Sequence, residues 1–284
     1  MRLARFDGGQ IGIVRDDVIF DVSAVCGVEP GEWPPVGMVR IIAAWDTLRP
    51  KIEAALRSGA GKPLASVRLQ TPDPWPNKVL ALPANFRDHV EEMRGRPYVI
   101  DANIEHEAGF FIKASSAMIG AGDTIVLPTD KPGREFHHEC EMAIVIGKRA
   151  RHVPVERALE YIFGYSCLID VTMRGLEERV MRKSYETFCP VGPWITTTDE
   201  VGSPFDLEMR LWVNGTLRQH SSPKMMKVGI SEAIAMCSAV TTLEPGDIIA
   251  SGTMAGVGPL VPGDEVVIEI ERVGKMILPV VAAD

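Results

Sequence analysis

His138-Glu139-Cys140-Glu141-Met142-Ala143-Ile144-Val145-Ile146 reads as a β-strand with an acidic entrance. Side chains alternate between the two faces of a strand. One face carries Cys140, Met142, Ile144 and Ile146, all apolar, and is expected to enter a core. The other carries Glu139, Glu141, Ala143 and Val145, so two carboxylates stand side by side, roughly 7 Å apart by the strand rise. Close carboxylates repel unless a proton or a cation lies between them. A hard divalent cation such as Mg2+ or Mn2+ suits that oxygen set. A solvated acidic edge is the plainer alternative.

Outward from this strand, the chain is rich in short apolar runs. Lys78 to Leu82, Gly109 to Lys113, Thr124 to Leu127, Leu207 to Val213, Ile248 to Ala250 and Val266 to Ile270 read as further strands, three of them entered through Gly-Asp turns. Helices are expected near Val155 to Tyr161 and from Ser231, as N-cap, to Val240. At the other end, Leu3 to Phe6, Ile11 to Val14 and Val18 to Val22 read as strands. Ile41, Ile42, Trp45, Leu48, Ile52 and Leu56 then mark a helical stripe that Pro50 must bend or divide. The Pro-rich run Thr71 to Pro76 suggests a boundary. The expected organisation is a small N-terminal β/α unit over residues 1–70 and a larger domain over 71–284. Many strands and few helices imply an α+β, β-rich fold.

Composition narrows the function classes. The 284 residues are 46% hydrophobic and 24% charged, which fits a globular chain with a sizeable core. With 38 acidic and 30 basic residues the net charge is −8, which disfavours a nucleic-acid binder. Five cysteines, none at C-x-x-C spacing, point away from a disulfide framework or zinc cluster and toward a reducing compartment. The N-terminal residues carry no apolar run typical of a signal peptide, and no stretch of about 18 apolar residues suggests a membrane span. A cytoplasmic location is expected. No Gly-rich nucleotide fingerprint follows a strand.

Other segments carry possible chemistry. Asp170 closes the apolar run Gly164 to Ile169 and offers a third oxygen, or serves as a turn or cap residue. If Asn85 or Asp88 caps a short helix, His89 and Glu92 share a face at i, i+3 spacing. A carboxylate orients an imidazole, making a base able to activate water, although a surface His–Glu pair has the same spacing. Lys183 stands before a turn-rich apolar segment; beside a bound oxo acid it could stabilise an oxyanion. The Gly-rich run from Ser251 to Gly258, with Gly252 and Thr253, could offer backbone N–H groups and a hydroxyl to a carboxylate, or form an ordinary turn.

Taken in order, seven pieces resemble the fumarylacetoacetate hydrolase family over roughly residues 75–284. They are Asn85-Phe86-Arg87-Asp88-His89, Phe111-Ile112-Lys113-Ala114-Ser115-Ser116, His138-Glu139-Cys140-Glu141, Asp170-Val171-Thr172-Met173-Arg174, the run Lys183 to Trp194, Val213-Asn214-Gly215, and Gly252 to Gly258. The resemblance implies a rolled mixed β-sheet and one Mg2+ or Mn2+ per chain on Glu139, Glu141 and Asp170. It implies a water-activating His89–Glu92 pair on a segment that closes over the site, and Lys183 against the reacting oxygen. Arg174 is implied near the substrate, and Thr253 with the Gly252 loop as the carboxylate clamp. A homodimer is the implied assembly.

Departures from the family pattern cluster near the substrate. Gly175 replaces an aspartate, Glu177 or Glu178 a glutamine, and the connection from Arg174 to Lys183 is short. Met254 replaces a proline, Leu82-Pro83-Ala84 lacks a glycine, and Arg94 to Ala108 reads as a lengthened lid. The activity implied is hydrolysis of a C–C bond in a 2,4-dioxo acid (an acylpyruvate). Decarboxylation or isomerisation of a 2-oxo acid, or non-catalytic binding of a metal and a small acid, are the alternatives.

Overall fold

The protein is described by a computed structural model covering residues 1–94 and 109–284. The stretch read as a lid therefore lies, past Arg94, outside the described residues. The architecture is the expected α+β, β-rich one, with mixed sheets. The longest sheet runs Lys62–Pro63, Val18–Asp21, Gln10–Arg15, Arg2–Phe6, Cys189–Thr197, Ile162–Ile169, Cys140–Ile146, Ile248–Ala250, Val79–Ala81, Phe111–Lys113. A five-stranded sheet orders Thr216–Ser221, Met209–Val213, Glu265–Ile270, Gly274–Ala282, Ile125–Leu127. Phe136–His138 is flanked by Thr172–Met173 and Gly258–Leu260 in a third. Most pairs are antiparallel; Ile248–Ala250 runs parallel to Val79–Ala81, and Gly274–Ala282 to Ile125–Leu127. No helix among the described residues is long and apolar enough to cross a membrane.

Cys140–Ile146 lies inside the long sheet and every residue of it is buried. The alternation sorts its side chains. Cys140, Met142, Ile144 and Ile146 enter the main core, while Ala143 joins a second cluster with Leu168, Val191 and Ala250. Val145 packs instead with the N-terminal residues Leu3, Ile11, Ile13, Met38, Ile41 and Ile52. The first 70 residues are thus tied to the rest by a shared apolar cluster and by the antiparallel pairing of Arg2–Phe6 with Cys189–Thr197. Trp45 meets Phe163 edge to face at 5.1 Å across the same contact.

Several local expectations shift. The helical stripe forms two helices, Gly37–Ala43 and Trp45–Ser58, but the break falls at Ala44 and Pro50 lies inside the second. Val155–Tyr161 is a 3-10 helix. The last helix starts at Ile230 with Gly229 as N-cap, so Ser231 is already helical; no side chain caps its N-terminus. Cys189–Thr197 escapes the strand pattern because it holds Pro190 and Pro193, which donate no ladder bond. The pairing register slips where Pro193 falls, between Gly192 opposite Cys167 and Thr196 opposite Tyr165.

The Pro-rich segment buries Asp73. Its Oδ1 accepts the Trp75 N–H at 3.2 Å, and its Oδ2 has no hydrogen-bond partner among the described residues. The turn at Gly246, with φ 89°, presses on it; a Cβ there would lie 2.7 Å from Asp73 Oδ2. Burial pushes the Asp73 carboxyl up to about 7; Asp247 adds to the shift, while the Trp75 N–H and Arg5 oppose it. An unfolded aspartate ionises near ~3.9, so between that value and about 7 the native state holds a proton that the unfolded state has lost. Stability from this group therefore falls as pH rises through that window. Asp73→Asn keeps the shape and removes the ionisation. It should raise the unfolding free energy, by about 2–3 kcal/mol more at pH 8 than at pH 5; an equal gain at both pH values in thermal unfolding would contradict this.

Candidate functional site

Three carboxylates meet at the head of strand Cys140–Ile146. Glu139 immediately precedes the strand, Glu141 is its second residue, and Asp170 follows the end of the neighbouring strand Ile162–Ile169. Cys140 pairs with Ile169, and the Asp170 N–H donates to the Glu139 carbonyl at 2.9 Å, which fixes Asp170 beside Glu139. One oxygen from each acid lies within 4.8 Å of the others. Their exposures are 4%, 2% and 0% for Glu139, Glu141 and Asp170. That burial excludes the solvated acidic edge.

Buried charge must be balanced, and three cations do so here. Lys183 Nζ donates to Glu139 Oε2 at 2.7 Å, to Asp170 Oδ2 at 2.6 Å and to Thr172 Oγ1 at 2.7 Å. Arg174 Nη2 lies 2.8 Å from Glu139 Oε1. Lys113, also buried, donates to Asp170 Oδ1 and to the Lys183 carbonyl. Glu141 accepts instead from the Gly252 N–H at 2.9 Å.

The two glutamates respond in opposite directions. Burial works to raise Glu139, but Lys183 and Arg174 outweigh it and hold Glu139 well below the usual carboxylate range. Burial and the neighbouring Asp170 push Glu141 well above that range, with only partial relief from Lys183. Burial lowers the Lys183 ammonium, yet Asp170, Glu139 and Glu141 together raise it above an ordinary lysine. Three carboxylate oxygens at this spacing, one of them favouring its protonated form because the others crowd it, match the donor set of a hard divalent cation.

His89 comes from the helix Arg87–Met93. Neither Asn85 nor Asp88 caps it; Phe86 occupies the N-cap position. The shared face at i, i+3 holds nonetheless: His89 Nδ1 lies 3.0 Å from Glu92 Oε2. Glu92 Oε1 accepts the Gly256 N–H at 2.9 Å. Against the upward push of burial, His89 and Gly256 together lower the Glu92 pKa. Both oxygens of Glu92 are therefore held, and with them the ring of the buried His89.

Asn85 binds the start of this segment to the Gly-rich loop. Its Nδ2 donates to the carbonyls of Val228 at 3.0 Å and Ser251 at 2.8 Å, and its Oδ1 accepts the Val228 N–H. Gly252, with φ 77°, is required at that contact, because a Cβ there would stand 2.6 Å from Asn85 Cβ and 2.9 Å from the Leu82 carbonyl oxygen. The Thr253 hydroxyl donates to the Cys140 carbonyl at 2.9 Å and accepts from Gln219 Nε2 at 2.8 Å. Gln219 also takes the Cys140 N–H and contacts His138 Nδ1, both at 3.0 Å through Oε1. An oxygen acceptor there selects the Nδ1–H tautomer of His138, and burial lowers the His138 pKa to about 4.

A cleft of about 790 Å3, bounded by the described residues, is lined by His89, Glu139, Glu141, Asp170, Arg174, Lys183 and Thr253. Of the nine site residues expected from the sequence, these seven face one space. Glu92 stands behind His89, and Gly252 reaches the site through its N–H to Glu141. Reading the sequence overlooked Lys113 and Gln219. Lys113 sits in a strand whose alternation could have shown an inward lysine; Gln219 is the one buried residue of Thr216–Ser221, which no pattern marks.

Comparison with known proteins agrees with this geometry. Residues 78–281 match the family model described as fumarylacetoacetate (FAA) hydrolase C-terminal. A maleylpyruvate hydrolase of Aquipseudomonas alcaligenes is 40% identical over 286 residues, covering 99% of both chains. The crystal structure of a maleylpyruvate hydrolase from Sphingobium sp. SYK-6, in complex with manganese(II) and pyruvate, superposes with a TM-score of 0.91 at 49% identity and covers all of both chains. A 5-carboxymethyl-2-hydroxymuconate delta-isomerase from Mycobacterium smegmatis superposes at 0.76 with 34% identity, again over all of both chains. The chain belongs to the fumarylacetoacetate hydrolase family.

Proposed function

We propose that this protein is a metal-dependent hydrolase that cleaves a C–C bond of a 2,4-dioxo acid, an acylpyruvate, in small-molecule or aromatic catabolism. The observation that carries the reading is the placement of the His89–Glu92 pair on the same cleft as the carboxylate triad. The likeness to two maleylpyruvate hydrolases supports it, one of them crystallised with manganese(II) and pyruvate. Pyruvate is the common product when water splits an acylpyruvate.

Glu139, Glu141 and Asp170 would hold one Mg2+ or Mn2+, whose contribution is Lewis-acid polarisation of the 2-oxo group. Arg174 and Thr253 line the cleft and, with the Gly252 loop, would bind and orient a substrate carboxylate. His89, its Nδ1 fixed by Glu92, removes a proton from water through Nε2. Hydroxide adds to the C4 carbonyl. The C3–C4 bond then breaks, its electron pair passing to C3 and delocalising onto the 2-oxo oxygen. C3 takes up a proton to give pyruvate, and C4 leaves as a carboxylic acid. Lys183 supplies positive charge beside the reacting oxygens. Its ammonium is shared between Glu139 and Asp170; a second cation on those acids would weaken this hold and release N–H bonds toward substrate.

Residues 71–284 are proposed as the catalytic unit and 1–70 as the smaller N-terminal unit. The assembly proposed is a homodimer, on the family resemblance. A cytoplasmic setting fits the five unpaired cysteines. The isomerase relative sets the second reading, in which His89 only shuttles protons on a 2-oxo acid.

Release of pyruvate from 2,4-dioxo acids, followed with metal added and with metal chelated, tests the reading. Turnover should vanish with chelator and return with Mg2+ or Mn2+, and calorimetry should show Mn2+ binding about 10-fold or more weaker in Glu141→Gln. An absorbance change without pyruvate release would favour isomerisation. His89→Ala should lower kcat by about 10²- to 10⁴-fold while the Mn2+ affinity stays within about twofold. Unchanged kcat would remove His89 from the mechanism.

A further inference from the structure

We propose that Arg182 reads a second carboxylate at the far end of the substrate, so that the cleft selects dicarboxylic oxo acids over monocarboxylic ones. This rests on the reading of the cleft as a 2-oxo acid site. The shortened connection from Arg174 to Lys183 forms the wall of that cleft and presents Arg174, Arg179, Arg182 and Lys183 to it. Two of these cations, Arg174 and Lys183, are already engaged with Glu139. Arg179 lies with its guanidinium 5.6 Å from the centre of the Phe111 ring.

Arg182 is different. It is half-buried, and it is fastened only to backbone carbonyls: Nε donates to Glu177 at 2.7 Å and Nη1 to Met173 at 3.3 Å. Among the described residues no carboxylate pairs with it. Nearby carboxylates are turned elsewhere, since Glu139 is held by Lys183 and Arg174 and Glu177 by Arg134. Gly175 makes the last pairing possible, because a Cβ there would lie 2.2 Å from Glu177 Oε2 and 2.8 Å from Arg134 Nη1. Burial and the like charges of Arg174 and Arg179 lower the Arg182 pKa, outweighing the more weakly felt charges of Glu139 and Glu177. A guanidinium has five N–H donors in a rigid fork. Held by two of them, with no carboxylate bonded to it among the described residues and facing a cleft, it is preorganised for an anion. The triad takes up the oxo-acid end, so the anion at this wall is the distal carboxylate of a dioate. Glu178 lines the same wall, and its carboxylate opposes an anionic tail.

The test is a pair of acids that cannot be hydrolysed, 2-oxoheptanedioate and 2-oxoheptanoate, titrated calorimetrically into the Mg2+-loaded protein. They differ only in the distal carboxylate. The dioate should bind wild type roughly 10- to 100-fold more tightly, the worth of a hydrogen-bonded charge pair. Arg182→Gln should bring the two affinities together by weakening the dioate alone, and Arg182→Lys should keep part of the preference. Equal affinities in wild type, or equal weakening of both acids by Arg182→Gln, would overturn the proposal. Because the wild-type contrast needs no variant, a misfolded Arg182→Gln leaves the decision intact. Binding of neither acid would overturn the oxo-acid reading as well, whereas tight, unequal binding without cleavage of any 2,4-dioxo acid would fault the hydrolase reading alone.

Discussion

Mutual repulsion among Glu139, Glu141 and Asp170 is the constraint that organises this molecule. Three carboxylates with almost no exposure, and with oxygens within 4.8 Å of one another, are stable only in a matrix of compensating charge. Lys113 supplies it from the strand Phe111–Lys113, and Arg174 and Lys183 supply it from the two ends of one short connection. Removing one partner of such a buried pair costs about 3–5 kcal/mol. The compensation is uneven. Glu139 and Asp170 receive the lysines and the arginine, while Glu141 has a backbone N–H and stays crowded. That asymmetry gives the site an unmet demand for positive charge, the property a cation site needs.

The geometry is held by backbone and amide contacts more than by side-chain packing. The pairing of Cys140 with Ile169 sets two acids beside each other, and the Gly252 N–H fixes the third. Gln219 uses its amide to bind the Cys140 N–H, His138, Thr253 and the Met254 carbonyl, locking the acidic strand to the Gly-rich loop. Asn85 does the same between that loop and the segment bearing His89. Glu92 then spans the two, with one oxygen on His89 and one on the Gly256 N–H. Base and triad thus share one framework.

Much of the fold was legible in the sequence where period and burial agree. The alternation in Cys140–Ile146 reports which side chains enter the main core, and the stripe of Ile41, Ile42, Ile52 and Leu56 reports which are buried. Legibility failed where a strand carries prolines, as at Pro190 and Pro193, and where backbone geometry replaces a side-chain cap, as at Gly229. In the site, the residue types that carry chemistry could be named from the sequence, with the family resemblance ordering them. The charge balance could not. Lys113 and Gln219 act through long-range contacts, to Asp170 and to Thr253; strand alternation points Lys113 inward but does not name its partner, and nothing local marks Gln219. The pairing of the Glu177 carboxylate with Arg134, near Arg182, is again a tertiary event.

Anomalous diffraction at the manganese edge, from crystals grown with Mn2+, tests the central claim most directly. The account predicts one strong peak per chain among the oxygens of Glu139, Glu141 and Asp170, with Lys183 Nζ drawn away from at least one of the two acids it now contacts. A chain that shows no peak there, or a peak elsewhere with the Lys183 contacts unchanged, would contradict it.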